Sequence, residues 1–126
     1  MDEETNQLTE KIIGAAIEVH RDLGPGLLES AYQRALAHEF QLRGISFVEQ
    51  KLCSVRYKDL LIEDAYRLDF LVGSKVVVEL KAIDDLLGVH EAQVLTYLRF
   101  ASCRVGLLFN FRTTLLTKHG LRRLAL

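Results

Sequence analysis

The stretch YRLDFLVGSKVVVELKAID, residues 66–84, decides the fold of this chain. Apolar and β-branched residues dominate it on both sides of a Gly-Ser pair, a pattern that predicts two strands of a buried β-hairpin. Asp69, Glu79 and Lys81 interrupt this pattern. Charged side chains are rarely buried unless they are paired or hold a metal, because removing each one from water costs several kcal/mol. The hairpin therefore marks the candidate functional site.

Strand geometry sets a condition for the three charges to meet. Side chains alternate between the faces of a strand, so Glu79 and Lys81 point the same way. Asp69 joins them only if its cross-strand neighbour is odd-numbered, for instance Val77, which requires a hairpin loop with an odd number of residues. A three-residue loop at residues 72–74, or a glycine bulge, meets this condition. A two-residue turn would place Asp69 on the opposite face.

The three charges allow two interpretations. One is an ion pair between Lys81 and one carboxylate on a half-exposed sheet, which is worth about 0.2 to 1 kcal/mol. The flanking residues are nearly all apolar, however, and the set leaves one negative charge unmatched. Mg²⁺ prefers oxygen ligands and commonly takes one or two carboxylates with water and phosphate. The pattern therefore favours a metal site, where Lys81 positions a water or neutralises charge on a phosphoryl group.

Length and composition limit the function classes. A chain of 126 residues, 49% of them hydrophobic, predicts a single domain over residues 1–126. Its net charge of -1 excludes a global basic field, so a polyanion must be held by a local patch or a metal. Cys53 and Cys103 lack the spacing of a zinc or iron-sulfur site and are expected to be packed thiols. An acidic N-terminus and no long apolar run predict a cytoplasmic protein without a membrane partner.

Hydrophobic periodicity predicts an α/β fold with a mixed sheet and the element order α-α-β-β-β-α-β. Helices are predicted over about residues 5–23, 27–43 and 86–101, and strands over about residues 47–57, 60–72, 75–83 and 104–111. A three-residue turn is expected between the first two helices. The first three strands should form an antiparallel meander, and the fourth should lie parallel to the third after a right-handed crossover helix. The tail, residues 113–126, is compatible with a short edge strand or a helix.

Two motifs resemble a known family. Asp69 followed by Glu79-Leu80-Lys81 resembles the Asp...Glu-x-Lys signature of PD-(D/E)XK nucleases, the restriction-endonuclease-like superfamily. The string GLLESAY, residues 26–32, is similar to the G-x-x-E-x-x-Y string of the GxxExxY proteins, a bacterial and archaeal branch. The segments IEVHRDLGPGLLESAY, VVVELKAID and VGLLFNF extend the likeness from about residue 8 to 123. The resemblance implies a restriction-endonuclease-like core and a nuclease that depends on Mg²⁺ or Mn²⁺.

The resemblance also implies roles around the cation. Metal ligands would be Asp69, Glu79 and the Leu80 carbonyl, and Lys81 would orient the attacking water. Glu29 would complete the catalytic acidic cluster, directly or through a metal-bound water. Its place in the first helical turn has another sufficient reason, because the helix dipole favours an acid there by about 0.3 to 1 kcal/mol. Tyr32 follows on the same helix face and either hydrogen-bonds the carboxylate or packs in the core with a polar tip.

The third helix carries a further set of candidates, His90, Gln93 and Tyr97, which share one face. Gln93-x-x-x-Tyr97 is similar to the Q-x-x-x-Y motif of lambda-exonuclease-like and RecB-like members, where it borders the active site and contacts DNA. These three residues and Tyr32 are predicted to position the substrate, although a solvent-facing role is equally open for His90. His20 suits a metal or, as we favour, the C-terminal dipole of its helix. Glu18 has no assigned role.

The resulting hypothesis is a nuclease that acts on nucleic acid, on DNA in preference to RNA. The sequence lacks the four cysteines of iron-sulfur members and any strongly basic arm. A non-catalytic nucleic-acid or protein-binding module that retains the nuclease fold is therefore the alternative. A core of this size leaves little surface for sequence recognition, so specificity is expected from nucleic-acid structure, a partner protein or a homodimer. The apolar tail LRRLAL is a candidate dimer contact.

Overall fold

A single mixed sheet organises the computed structural model, which describes residues 2–126. The helices are α1 (Glu3–Leu23), α2 (Glu29–Leu42), α3 (Gly88–Ala101) and α4 (Leu116–His119). The strands are β1 (Phe47–Tyr57), β2 (Leu60–Val72), β3 (Val76–Lys81), β4 (Val105–Asn110) and β5 (Leu121–Ala125), and they lie side by side in that order. Only the β3–β4 pair is parallel across residues 2–126. The predicted meander and crossover are confirmed, and the tail forms both a short helix and an edge strand. Across the same residues, every helix is too short or too polar to traverse a bilayer.

Helices cover both faces of the sheet. On one face, α1 and α2 pack against Val76 and Val78 of β3. On the other face, α3 packs through Val94 and Leu98 against Val77. A strand that is buried on both sides needs apolar residues at every position, which explains the unbroken run at the start of β3. Each large aliphatic side chain buried in this way stabilises the fold by about 1.5 to 3 kcal/mol.

The linker between α1 and α2 is longer than the predicted three-residue turn and comprises residues 24–28. The N–H of Leu27 donates to the hydroxyl of Tyr32 at 3.1 Å, and this hydroxyl donates to the carbonyl of Gly24. Tyr32 is fully buried, and its ring stacks on Phe111 with 4.6 Å between ring centroids. These contacts of Tyr32 hold the linker in an extended conformation, so α2 begins only at Glu29.

The β2–β3 hairpin has the three-residue loop that the parity argument requires, but the loop spans residues 73–75 and so begins one residue later than predicted. Val72 pairs with Val76, and both side chains are fully buried. Lys75 leaves the sheet, and its Nζ lies 3.0 Å from Oε2 of Glu4. This loop keeps the two valines in the core and the ammonium in solvent.

The later loop changes the neighbour of Asp69. Because Phe70 pairs with Val78, Asp69 faces Glu79 and not Val77, which was the predicted neighbour. Val77 and Glu79 are both odd-numbered, so Asp69 still meets the condition for lying on the same side as Glu79 and Lys81. The two carboxylates therefore meet directly across the strands.

Helix α3 packs tightly against Gly106 of β4. A Cβ added to this glycine would lie 2.7 Å from Cγ1 of Val94 and 3.3 Å from Cδ2 of Leu98. Such short distances leave no room for a methyl group. The glycine therefore sets the height of α3 above the sheet, and with it the position of Gln93 and Tyr97.

Replacing Gly106 by Ala should lower the free energy of unfolding by about 1 to 3 kcal/mol, because the methyl group collides with the stiff Val94 side chain. Urea denaturation followed by circular dichroism measures the change. Gly88→Ala is the matched control, because a Cβ at this first residue of α3 meets no atom within 4 Å. Equal stability of the two variants would contradict the close packing of α3.

Candidate active site

The ladder between β2 and β3 opens where the charged residues begin. Backbone pairing ends at Phe70 and Val78. Beyond this pair, the N–H of Asp69 donates to Oε2 of Glu79 at 2.7 Å, and the N–H of Leu80 donates to Oδ2 of Asp69 at 2.8 Å. Two carboxylates therefore accept hydrogen bonds that backbone carbonyls of the neighbouring strands accept in a regular sheet. The strands separate at this point and leave a cleft.

The cleft has a volume of about 350 Å³. It collects side chains from β2, β3, α2 and α3, which come from distant parts of the sequence. The structure brings together in it seven of the nine residues predicted for the site: Glu29, Asp69, Glu79, Leu80, Lys81, Gln93 and Tyr97. Splayed strands and two helix faces therefore converge on one site.

Desolvation makes Glu29, Asp69 and Glu79 resist ionisation. Glu79 is 4% exposed, and its burial, followed by the nearby Asp69 carboxylate, raises its pKa to about 8. Burial also raises the pKa of Asp69, although the Leu80 N–H and Lys81 act in the opposite direction. The pKa of Glu29 is raised as well, first by burial and then by Asp69. A cation bound beside these carboxylates would favour their ionised forms and lower all three pKa values.

The acidic pair suits a hard divalent cation. In residues 2–126, no three His, Cys, Asp or Glu side chains come together closely enough to enclose a metal ion. Asp69 and Glu79 form a close pair, whereas Glu29 projects from the first residue of α2. Mg²⁺ usually binds through one or two carboxylates and keeps several waters, so it does not require a third protein carboxylate. The residues present therefore fit Mg²⁺ or Mn²⁺ through the pair.

Two further features agree with a cation. Four carboxylates line the cleft against two cations, Arg67 and Lys81, which leaves a formal charge of -2. The N–H and C=O of one strand residue point towards the same neighbouring strand. Because the N–H of Leu80 reaches Asp69 on β2, the Leu80 carbonyl also faces the opened side of β3. A neutral oxygen donor thus adjoins the acidic pair.

Helix α3 supplies an amide and an aromatic ring beside the acids. Nζ of Lys81 donates to Oε1 of Gln93 at 3.2 Å, which fixes the ammonium next to Glu79. Tyr97 lies one turn after Gln93, and its ring stacks on Tyr66 of β2. Burial, then the charge of Glu79, raises the pKa of Tyr97, so its phenol stays protonated. This wall of the cleft is therefore neutral or cationic.

Two residues predicted to position the substrate, Tyr32 and His90, do not line the cleft, and the prediction for the fully buried Tyr32 is corrected. Tyr32 is in the core, where its hydroxyl hydrogen-bonds Gly24 and Leu27 of the linker. Nδ1 of His90 accepts a hydrogen bond from the N–H of Leu87 at 2.8 Å. The start of a helix has N–H groups without intrahelical partners, so His90 stabilises the start of α3 by accepting one of these hydrogen bonds.

The two residues that the sequence left open also have structural partners. Nε2 of His20 hydrogen-bonds the carbonyl of Thr113 at 2.6 Å and thereby ties α1 to the loop after β4. Glu18 forms an exposed ion pair with Arg21 one turn away. Neither side chain lines the cleft, and these contacts agree with the favoured non-metal role of His20.

The structure also reveals supporting residues that the sequence did not indicate. Gln50 has φ 52° inside β1, and its Nε2 lies 3.5 Å from Oδ1 of Asp69. Gln33 of α2 donates to the carbonyl of Asp69 at 3.4 Å. A left-handed backbone at a non-glycine residue costs about 1 to 3 kcal/mol and tends to occur at functional sites. No glycine or other local signal marks this position, so the pattern of β1 alone could not reveal it.

Asn110 is a further support that the sequence did not indicate. Its side chain is buried at the end of β4, where Oδ1 accepts from the N–H groups of Ile83 at 3.1 Å and Arg112 at 3.2 Å. Its Nδ2 donates to the carbonyl of Ile83 at 2.8 Å. These bonds fix the chain just after Lys81. The sequence signal for this support is a single asparagine between two phenylalanines. An amide buried among apolar residues must be hydrogen-bonded, so it marks a structural contact.

Comparison with known proteins gives one match. The family model described as the PD-(D/E)XK nuclease superfamily matches residues 6–124. No curated protein and no solved structure matches the chain significantly. The matched region contains the whole cleft.

Stability without metal should depend on pH through Glu79. Its pKa in the folded protein, about 8, lies above the ordinary value of 4.5. Between these values the folded state holds a proton that the unfolded state has lost, so the free energy of unfolding falls as pH rises. In EDTA, wild-type protein should be less stable at about pH 8 than at about pH 5, and Glu79→Gln should reduce this difference. Urea denaturation at the two pH values measures it.

The exposed Glu63 provides the control for this measurement. Glu63→Gln should leave the pH dependence of the unfolding free energy unchanged. A Glu79→Gln variant with the full wild-type dependence would show that Glu79 ionises normally in the folded protein.

Proposed function

The chain belongs to the PD-(D/E)XK nuclease superfamily, and from this premise we propose that it is a metal-dependent nuclease that hydrolyses phosphodiester bonds, in DNA in preference to RNA. The observation that carries the proposal is the pair formed by the buried Glu79 and the half-buried Asp69 beside Lys81 in an open cleft. PD-(D/E)XK nucleases generally use divalent metals, so Mg²⁺ or Mn²⁺ is the proposed cofactor.

The carboxylates have the first role in this scheme. Asp69, Glu79 and the Leu80 carbonyl would hold the cation. When bound, it supplies electrostatic stabilisation of the charge that develops on the phosphoryl group. Hydrogen bonds from the N–H groups of Asp69 and Leu80 keep both carboxylates oriented before any ligand arrives. Preorganisation of this kind avoids reorganisation at the moment of reaction.

Lys81 and Glu29 act on the water and the phosphate. The ammonium of Lys81, held by Gln93 at 3.2 Å, would orient the attacking water and neutralise charge on a phosphoryl oxygen. Glu29 at the start of α2 would accept a hydrogen bond from a water and complete the acidic cluster. Gln93 and Tyr97 would position the nucleic-acid strand.

We also propose that the chain belongs to the GxxExxY branch of the superfamily. The glutamate and the tyrosine of the GLLESAY string have different tasks that support this proposal. Glu29 lines the cleft, whereas Tyr32 fixes the linker that presents the start of α2. The motif thus joins a site residue to the support of its helix. A cytoplasmic location and a homodimer or partner protein remain predictions.

Replacing Lys81 by Ala should reduce Mn²⁺-dependent cleavage of a fluorescent oligonucleotide by about 100-fold or more, because the ammonium is lost where charge develops. Circular dichroism and the thermal midpoint should stay close to wild type. Lys75→Ala is the matched control, since this lysine lies in the hairpin loop outside the cleft. Cleavage by Lys81→Ala at the wild-type rate would end the mechanism.

Calorimetric titration tests the cation site separately. Wild-type protein should bind Mn²⁺, and Asp69→Asn should bind it more weakly by a factor of about ten or more, because one charged oxygen ligand is lost. Asp84→Asn removes a carboxylate that is 89% exposed and lies outside the cleft, so it should bind like wild type. Absence of Mn²⁺ binding by wild-type protein would favour the non-catalytic module.

A further inference from the structure

An aromatic pair lines the cleft beside the acids. Tyr66 of β2 and Tyr97 of α3 both contribute to the cleft surface. Their rings are stacked, with 4.9 Å between centroids and 22° between planes. Tyr66 lies three residues before Asp69 on the same strand. A flat aromatic surface is therefore within reach of a group bound at the carboxylates.

The wall around this pair is built by the β1–β2 hairpin. Residues 60–68 of β2 pair with β1 beyond the end of the ladder with β3. Arg67 follows Tyr66 on this hairpin, lines the cleft and is exposed. Burial is the main reason why the pKa values of Tyr66 and Tyr97 are both raised, so neither ring brings negative charge to the wall.

Aromatic rings and a guanidinium in one cleft match the chemistry of an unpaired nucleotide. Bases stack on aromatic side chains with little dependence on sequence, and arginine contacts phosphate. Bases inside a duplex are already stacked and paired, and a protein can reach them in this way only if the nucleotide leaves the stack. The cleft volume of about 350 Å³ is sufficient for one nucleotide-sized group.

We propose that Tyr66 and Tyr97 stack an unpaired base next to the scissile phosphate and that Arg67 contacts a neighbouring phosphate. The substrate is then single-stranded or frayed nucleic acid and not an intact duplex. This assignment rests on the proposed nuclease function, because it places the scissile phosphate at Asp69 and Glu79. It gives Tyr66 and Arg67 a role in substrate selection that the sequence motifs did not indicate.

Binding without turnover is the direct test. Fluorescence anisotropy in Ca²⁺, which takes oxygen ligands as Mg²⁺ does, compares a labelled oligothymidylate with a blunt duplex of the same length. Wild-type protein should prefer the single strand. Tyr66→Leu keeps the apolar volume that packs against α3 but removes the ring, and it should weaken single-strand binding by about tenfold. Tyr66→Phe should bind like wild type.

Matched controls come from the same hairpin. Tyr57 and Arg56 lie near its tip and outside the cleft lining. Tyr57→Leu and Arg56→Ala should leave single-strand affinity unchanged, whereas Arg67→Ala should weaken it. Arg67 is exposed, so its variant should fold normally and test the site even if Tyr66→Leu is unstable.

Cleavage in Mn²⁺ separates this assignment from the nuclease function. Faster cleavage of the single strand, with a higher KM for Tyr66→Leu, would support both. Equal cleavage of strand and duplex, with no effect of Tyr66→Leu or Arg67→Ala, would overturn the base-binding site and leave the nuclease intact. Single-strand binding that depends on Tyr66, without any cleavage, would support the base-binding site and reject the nuclease.

Discussion

The separation of β2 and β3 at Asp69 and Glu79 is the constraint on which the site depends. In a regular sheet, backbone carbonyls of the neighbouring strands would accept from the N–H groups of Asp69 and Leu80, and the sheet would remain closed. Here the two carboxylates accept these bonds, and each side chain is thereby oriented by the backbone of the other strand. The exchange keeps the N–H groups paired, so the strands can part without leaving buried donors unsatisfied. The cleft is thus a consequence of how the hairpin satisfies its own hydrogen bonds.

The cost of the site is electrostatic and not a matter of missing hydrogen bonds. Within residues 2–126, every buried side-chain nitrogen or oxygen atom has a partner. The acids are nevertheless desolvated and close to one another, as the raised pKa of Glu79 indicates. Apolar packing on both faces of β3 offsets this cost, and Asn110 fixes the strand where it leaves the sheet. Natural proteins commonly break local rules at functional sites while the rest of the fold remains consistent.

The features that the sequence predicted correctly follow from rigid periodicities. A period of two places Glu79 and Lys81 together whatever their surroundings, and apolar repeats mark the helices and strands. The exact hairpin register depends on whether Lys75 belongs to β3 or to the loop. In the structure Lys75 lies in the loop and contacts Glu4 of α1, a contact between distant parts of the sequence. The length of the linker between α1 and α2 depends on a hydrogen bond to the Tyr32 hydroxyl, which lies one turn inside α2. Gln50 owes its place to a backbone conformation that residue types alone do not reveal.

Charge explains how a nearly neutral protein could bind a polyanion at this cleft. The chain carries a net charge of -1, and acidic residues outnumber basic ones in the cleft, so the cleft offers an approaching phosphate little attraction when no cation is present. One divalent ion would balance the negative charge of the carboxylates. Lys81 and Arg67 could then attract the phosphate. Under the proposed function the affinities for cation and nucleic acid would be coupled, and by thermodynamic linkage each ligand would strengthen the binding of the other by the same factor. A basic surface would attract nucleic acid at all times, whereas under the proposed function an acidic cleft would admit it only together with a bound cation.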